Sequence, residues 1–235
     1  MFPKKDCYMA LKKKQDKTNE NKTQVLIVDD HPVVRDGLTT IINHEQDLNV
    51  CGGADDVHQA LKTIGQLKPD VIIVDISLKN SDGIELTKSI KANHPKSLVV
   101  VLSVHDESMY AERALRAGSR AYLMKDAVSE NIVKAIRTVL SGEIYVSDTI
   151  SKKILHKLAG DKTEIAKSLI ENLSDREFEI FRLIAEGLKA SQIAKNLHLS
   201  VKTVETYRGR LKEKLNLDSA TELLQYAIKW AKSED

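Results

Sequence analysis

Cysteine occurs only twice in these 235 residues, at Cys7 and Cys51. One falls in a lysine-rich leading stretch and the other in an apolar strand, so a structural disulfide is not expected. Aromatic residues make up only 4% of the chain, which leaves Leu, Ile, Val and Ala to build the cores. No apolar run approaches the ~20 residues that a membrane-spanning helix needs, and the polar residues 1–22 contain nothing like the apolar block of a secretory signal. No membrane partner is expected, and the cytoplasm is the expected compartment. Neither sign of charge dominates, with 36 Lys and Arg against 34 Asp and Glu. Bulk charge therefore gives no argument for nucleic-acid binding, and such an argument has to rest on local placement.

What is present divides the chain. Residues 1–22 hold seven lysines and few apolar anchors, the composition of a disordered basic tail. From 23 to 146, short Val/Ile/Leu runs alternate with amphipathic stretches. Strands are expected near 24–28, 48–51, 71–74, 98–102 and 121–123, and helices near 32–44, 57–67, 84–92, 107–117 and 129–140. In the fourth helix, Met109, Ala114 and Leu115 form a weak stripe, so it is expected to pack loosely. Gly52-Gly53, Asp82-Gly83 and Ala117-Gly118 read as turns and helix ends. Five strand–helix units in about this length imply an α/β fold, a five-stranded doubly wound parallel sheet. Residues 147–171 read as a linker that begins as a helix, and 172–235 as a small all-α unit of four helices.

Chemistry collects at the strand ends. Val25-Leu26-Ile27-Val28 runs into Asp29-Asp30, and Val71-Ile72-Ile73-Val74 into Asp75, while Ser103 and Lys125 close two further runs. In an open parallel sheet the carboxyl ends of the strands gather at one edge, where ligands bind. Three carboxylates so gathered raise one another's pKa, and a divalent cation, Mg²⁺ or Mn²⁺, relieves the conflict through hard oxygen ligands. With an ammonium from Lys125 and a hydroxyl from Ser103 beside it, Asp75 suits nucleophilic acceptance of a phosphoryl group.

Residues 24–146 resemble a bacterial response-regulator receiver domain, on Val28-Asp29-Asp30-His31, Val74-Asp75-Ile76, Leu102-Ser103 and Leu123-Met124-Lys125-Asp126. The whole chain resembles the NarL/FixJ class. The resemblance implies that Asp75 takes phosphate from a sensor histidine kinase. It also implies that Asp30, Asp75 and the carbonyl of Ser77 bind the metal, with Asp29 acting partly through water. Ser103 and Tyr122 would hold the switch positions, and Ser77 and His105 would set the lifetime of the phosphate. The chain departs from the family at Lys79, where proline is usual; its loss should loosen the loop.

In the last unit, Ser174-Asp175-Arg176-Glu177 fits a capping box, followed by Phe178, Phe181, Leu183, Ile184 and Ala185 as a buried side. A short helix at 191–197, a turn at His198-Leu199-Ser200 and a longer helix at 201–215 match the geometry that enters a major groove. Val204, Tyr207 or Arg208, Leu211 and Leu215 are the expected core face. Lys202, Thr203, Glu205, Thr206, Arg208, Arg210, Lys212 and Lys214 lie outward, with cations for phosphates and Thr and Glu for base edges. The segment is similar to a LuxR-type helix-turn-helix through Gly187, Ile193-Ala194 and 199–206, which implies double-stranded DNA as partner. Gly209 offers no side chain where some relatives read a base. The last helix, 220–232, carries Leu223, Leu224, Ala227 and Ile228, and in the family it pairs two copies on DNA. The chain is therefore expected to be a transcription regulator and not an enzyme. An aspartyl-phosphate phosphohydrolase would place a second Asp at Ser77. A receiver that no longer needs phosphate remains a rival because of Lys79.

Overall fold

A computed structural model of the chain describes residues 22–78, 82–104, 107–158, 169–170, 173–197 and 199–234. The expected basic tail before Lys22, with Lys79, His105 and His198, lies outside them. β1 (Thr23–Val28), β2 (Leu48–Ala54), β3 (Val71–Asp75), β4 (Leu98–Ser103) and β5 (Ala121–Met124) form one parallel sheet in the order β2-β1-β3-β4-β5. The direction of winding reverses between β1 and β3, which opens a crevice at their carboxyl ends.

Alternation along each strand sends side chains to two separate cores. Val25, Ile27, Val71, Ile73, Val100 and Leu102 pack with α1 (Pro32–Asn43) and α5 (Val128–Leu140) through Leu38, Ile42, Ile132 and Ile136. Leu26, Val28, Ile72, Val74, Val99 and Val101 face α2 (Val57–Leu67), α3 (Gly83–Asn93) and α4 (Glu107–Ala117). This two-sided burial is why the strands are continuous apolar runs. Local chemistry starts the helices where these layers need them. Pro32 opens α1, Asp56 caps α2 by accepting from the Gln59 amide, and Asp82 caps α3 by accepting from the Ile84 amide.

Two expectations fail here. Gly52-Gly53 is not a turn. Both residues belong to β2, which carries a register irregularity opposite Val25 and Leu26, and glycine tolerates such a bulge on an edge strand. Nor is α4 loosely packed, for Tyr110, Ala111 and Ala114 are all buried. Small residues bring the helix close to the sheet, and a covering layer from the chain's second half completes its burial.

Beyond the sheet, α6 (Asp148–Leu158) returns along α4. Ile150 is buried, and the Ser147 hydroxyl meets Glu107 Oε1 at 2.5 Å. Four helices follow: α7 (Asp175–Ala185), α8 (Ala190–Asn196), α9 (Val201–Leu215) and α10 (Ala220–Glu234). The capping box is formed as expected, and Gly187 ends α7 at φ +80. Phe181, Ile193, Val204, Leu211, Leu223 and Ala227 make the core. Of the alternatives for the α9 core face, neither Tyr207 nor Arg208 is fully buried. Glu177 does double duty, for its Oε2 accepts from the Ser174 amide at 2.8 Å and from Lys214 Nζ at 2.6 Å.

Burial raises the Glu177 pKa, but Lys214 and the Ser174 bonds outweigh it and hold the carboxyl below its ordinary value. Its stabilising contribution is then present above the ordinary glutamate range and lost as pH falls through the folded-state value. Trp230 fluorescence melts at decreasing pH should show that loss in wild type and a flatter acid limb in Glu177→Gln. At Gly83, a Cβ would stand 2.0 Å from the Asp75 carbonyl oxygen and 2.8 Å from Ile76 Cα. Gly83→Ala should therefore cost about 1–3 kcal/mol or more in a denaturant melt, because the obstacle is backbone.

Candidate functional site

The register of the sheet assembles the site. Val28 pairs with Val74, so the residues that follow, Asp29 and Asp75, emerge side by side. Asp75 pairs with Leu102, which sets Ser103 one step further out, and Ser103 pairs with Met124, which sets Lys125 one step beyond that. Four strands end in a staircase whose treads carry the four groups.

The groups meet. Lys125 Nζ lies 2.7 Å from Asp29 Oδ2 and 2.8 Å from Asp75 Oδ2. Both carboxylates are 1% exposed, and Ser103 is buried beside them. Burial pushes the Asp75 carboxyl above its usual range; Lys125 pulls against that shift and Asp29 adds to it. Burial also works against the Lys125 charge, but Asp75 and Asp29 outweigh it and raise the ammonium's pKa. The Ser77 amide donates to Asp75 Oδ1 at 3.3 Å, so the backbone following the strand turns back over the carboxylate. Tyr122 is fully buried in β5 within the apolar layer that holds α4.

One ligand atom from each of Asp29, Asp30, His31 and Asp75 lies within 4.8 Å of the others. Asp30 Oδ1 is buried without a hydrogen bond. His31 Nδ1 stands 2.9 Å from it and 3.2 Å from Asp29 Oδ1. A buried carboxylate oxygen that makes no hydrogen bond, in a set dominated by hard oxygens, fits a divalent cation. The part played by His31 was missed by strand-end reasoning, although its place directly after Asp30 was a signal. Gly83 was read only as punctuation, yet its missing side chain lets α3 start against the Asp75 backbone, with the Gly83 amide 2.9 Å from the Ile76 carbonyl.

The second site is the outward side of α9. Ser200 caps the helix by accepting from the Thr203 amide, and its hydroxyl is 2.7 Å from the Thr203 hydroxyl. Lys202, Glu205, Thr206 and Arg210 are exposed, while Thr203 and Arg208 are half-buried. Arg208 holds Glu205 at 2.9 Å, and the Arg210 guanidinium lies 5.6 Å from the Tyr207 ring centre. Gly209 has open space around its Cα. Lys214, expected on the same face, is tied to Glu177 instead. On α10, Leu224 and Ile228 are each 37% exposed. Among the described residues no helix is long and apolar enough to cross a membrane.

Comparison with known proteins gives a family match over each half of the chain. Residues 25–137 match the response regulator receiver domain, and residues 171–227 match the bacterial regulatory proteins of the luxR family. The chain is 35% identical over 210 residues to the oxygen regulatory protein NreC of Staphylococcus carnosus, spanning 88% of this chain and 97% of that protein. NreC of Staphylococcus aureus is 34% identical over a similar span. Among solved structures, RcsB of Salmonella typhimurium is similar at 27% identity and a TM-score of 0.61, covering 89% of this chain and 98% of that one. RcsB bound to a promoter with the phosphomimetic BeF₃⁻ is similar at 28% identity and a TM-score of 0.58, covering 88% and 98%. With the acidic pocket at one end and the helix-turn-helix at the other, this chain belongs to the NarL/FixJ class of two-component response regulators, a receiver joined to a LuxR-type DNA-binding unit.

Proposed function

We propose that Asp75 is the phosphoacceptor through which a histidine kinase controls the DNA binding of this regulator. The observation that carries this is the single ammonium of Lys125 shared by the buried carboxylates of Asp29 and Asp75. An Asp75 oxygen attacks phosphorus in line, and the bond from phosphorus to the donor histidine nitrogen breaks as the new O–P bond forms. Lys125 then moves from carboxylate to phosphoryl oxygen, and Ser103 donates its hydroxyl to another. Asp30, Asp75 and the Ser77 carbonyl would hold Mg²⁺ or Mn²⁺, with Asp29 acting partly through water. The ion, when bound, neutralises charge that builds on the transferred group. Tyr122 would relay the change toward α4. The chain turns over no separate substrate in this reading, which makes it a regulator and not an enzyme.

Lys202, Arg208, Arg210 and, more weakly, Lys214 would meet phosphates, and Thr203, Glu205 and Thr206 the groove edges. Two copies would pair through Leu224 and Ile228 of α10 on half-sites about one helical turn apart. We assign the receiver to residues 23–146, the linker to 147–171 and the DNA-binding unit to 172–235, all working in the cytoplasm where kinase output and DNA meet.

The direct test is intact mass after incubation with Mg²⁺ and acetyl phosphate. Wild type should gain one phosphoryl mass and Asp75→Asn none; an unmodified, folded wild type would overturn the reading. In thermal melts, Mg²⁺ at about 100 times its Kd should stabilise wild type by ~2.7 kcal/mol, and Asp30→Asn should lose most of that gain. For DNA, Lys202→Ala should weaken binding evenly across sequences and reduce the salt slope by about one. Glu205→Ala should instead change which duplexes a randomised pool yields.

A further inference from the structure

α4 is gripped from its far side by the chain's second half. Arg113 donates from Nη1 to the Leu173 carbonyl at 2.9 Å and from Nη2 to the Ile170 carbonyl at 2.8 Å. Its guanidinium lies 4.0 Å above the centre of the Phe178 ring. One turn earlier on the same helix face, Tyr110 meets Phe178 edge-on, with ring centres 5.3 Å apart at 67°. Tyr110, Ile170, Leu173 and Phe178 are all buried. The apolar layer on this face of the sheet continues without a break into the core of the helix-turn-helix. Phe178 in turn packs edge-on against Trp230 at 5.6 Å.

This docking takes up α7 and the chain that leads into it, and it leaves α9 alone. Lys202, Glu205, Thr206 and Arg210 stay exposed. Among the described residues, the Ser200–Thr203, Thr206–Lys202, Arg208–Glu205 and Lys214–Glu177 bonds of α9 all lie within the helix-turn-helix unit. α4 follows directly on the strand that carries Ser103, and it shares its apolar layer with Tyr122. A change at the phosphoryl site that moves Ser103 or Tyr122 therefore reaches α4, and Phe178 is packed on the far face of that helix.

We infer that the Arg113–Phe178 junction is the element through which phosphorylation at Asp75 acts on DNA binding, and that it does so in a docked body whose DNA-reading helix is already open. Control then works by repositioning the helix-turn-helix through α4, not by uncovering α9. The inference rests on the reading of Asp75 as phosphoacceptor. Coupling across the junction is measured as a change in affinity.

The experiment compares full-length wild type, Arg113→Ala and Arg113→Lys, each with and without acetyl phosphate and Mg²⁺. The probe is a labelled duplex recovered from a randomised pool by wild-type protein. Phosphorylation should tighten wild-type binding by roughly 5- to 150-fold, the usual span of such couplings. Arg113→Ala should take up the same phosphoryl mass and keep the unphosphorylated affinity within about twofold, yet lose the gain. Arg113→Lys, which keeps the charge but not the two-pronged geometry, should recover only part of it. The single tryptophan, Trp230, gives a second readout: its emission should shift on phosphorylation of wild type and not of Arg113→Ala. If Arg113→Ala instead binds unphosphorylated as tightly as phosphorylated wild type, docking was masking the DNA surface and the inference falls. It falls as well if Arg113→Ala keeps the full gain. A wild type that takes no phosphoryl group sinks the phosphoacceptor reading itself, and one that takes it without gaining affinity sinks the control of DNA binding, in both cases before any variant is compared.

Discussion

Two carboxylates, Asp29 and Asp75, sit almost out of reach of water and share one ammonium from Lys125. Burial makes each negative charge costly, and one cation cannot fully balance two anions at that depth. The direction of the Asp75 shift records the imbalance, since burial wins over Lys125. Such a centre is held together by the fold instead of holding the fold together. It persists because β1, β3, β4 and β5 are locked in register by apolar layers on both sides. The arrangement is thus primed for positive charge, and the orphaned oxygen of Asp30 points to where a cation would be accepted.

The two faces of the sheet have different duties. One is closed by α1 and α5 and forms a core complete in itself. The other begins under α2, α3 and α4, runs beneath Tyr122 and continues past Tyr110 into Phe178 and the small helical unit. Chemistry at the strand ends is therefore mechanically closer to the DNA-binding half than the chain order suggests. Asp29 and the start of α4 at Glu107 are 78 positions apart along the chain, but a single packed layer joins them in space. Rigid packing of this kind moves between discrete arrangements instead of deforming smoothly, which suits a switch.

Much of this was legible in the sequence. Strands buried on both faces appear as unbroken Val/Ile runs, and so β1, β3 and β4 were found almost to the residue. Capping chemistry is local, and the Ser174–Glu177 box could be read directly. Features that depend on what lies opposite were not legible. Gly52 and Gly53 looked like a turn because an edge-strand bulge has no local signature. α4 looked poorly anchored because its partner, Phe178, lies more than 60 residues further along the chain. For the same reason Arg113 gave no sign of its part in the junction. Lys214 was read from its helix face alone, and the 37-residue reach to Glu177 claimed it.

The staircase at the sheet edge also bears on how a chain of this kind can vary. Side chains alternate faces with a period of two, so one residue added inside β3 or β4 would turn its terminal group from the crevice into a core. An insertion in β3 would also slide Asp75 about 3.3 Å, one strand rise, past Ser103 and Lys125, and one in β4 would slide Ser103 by the same step. Strand lengths are thus counted in whole residues, with no tolerance. Length changes can accumulate only at the opposite edge, where α1, α2, α3 and α4 hand the chain back to β2, β3, β4 and β5. Over evolutionary time, insertions and deletions should collect at that end of the sheet, while the end bearing Asp29, Asp75, Ser103 and Lys125 keeps its spacing even as its sequence drifts.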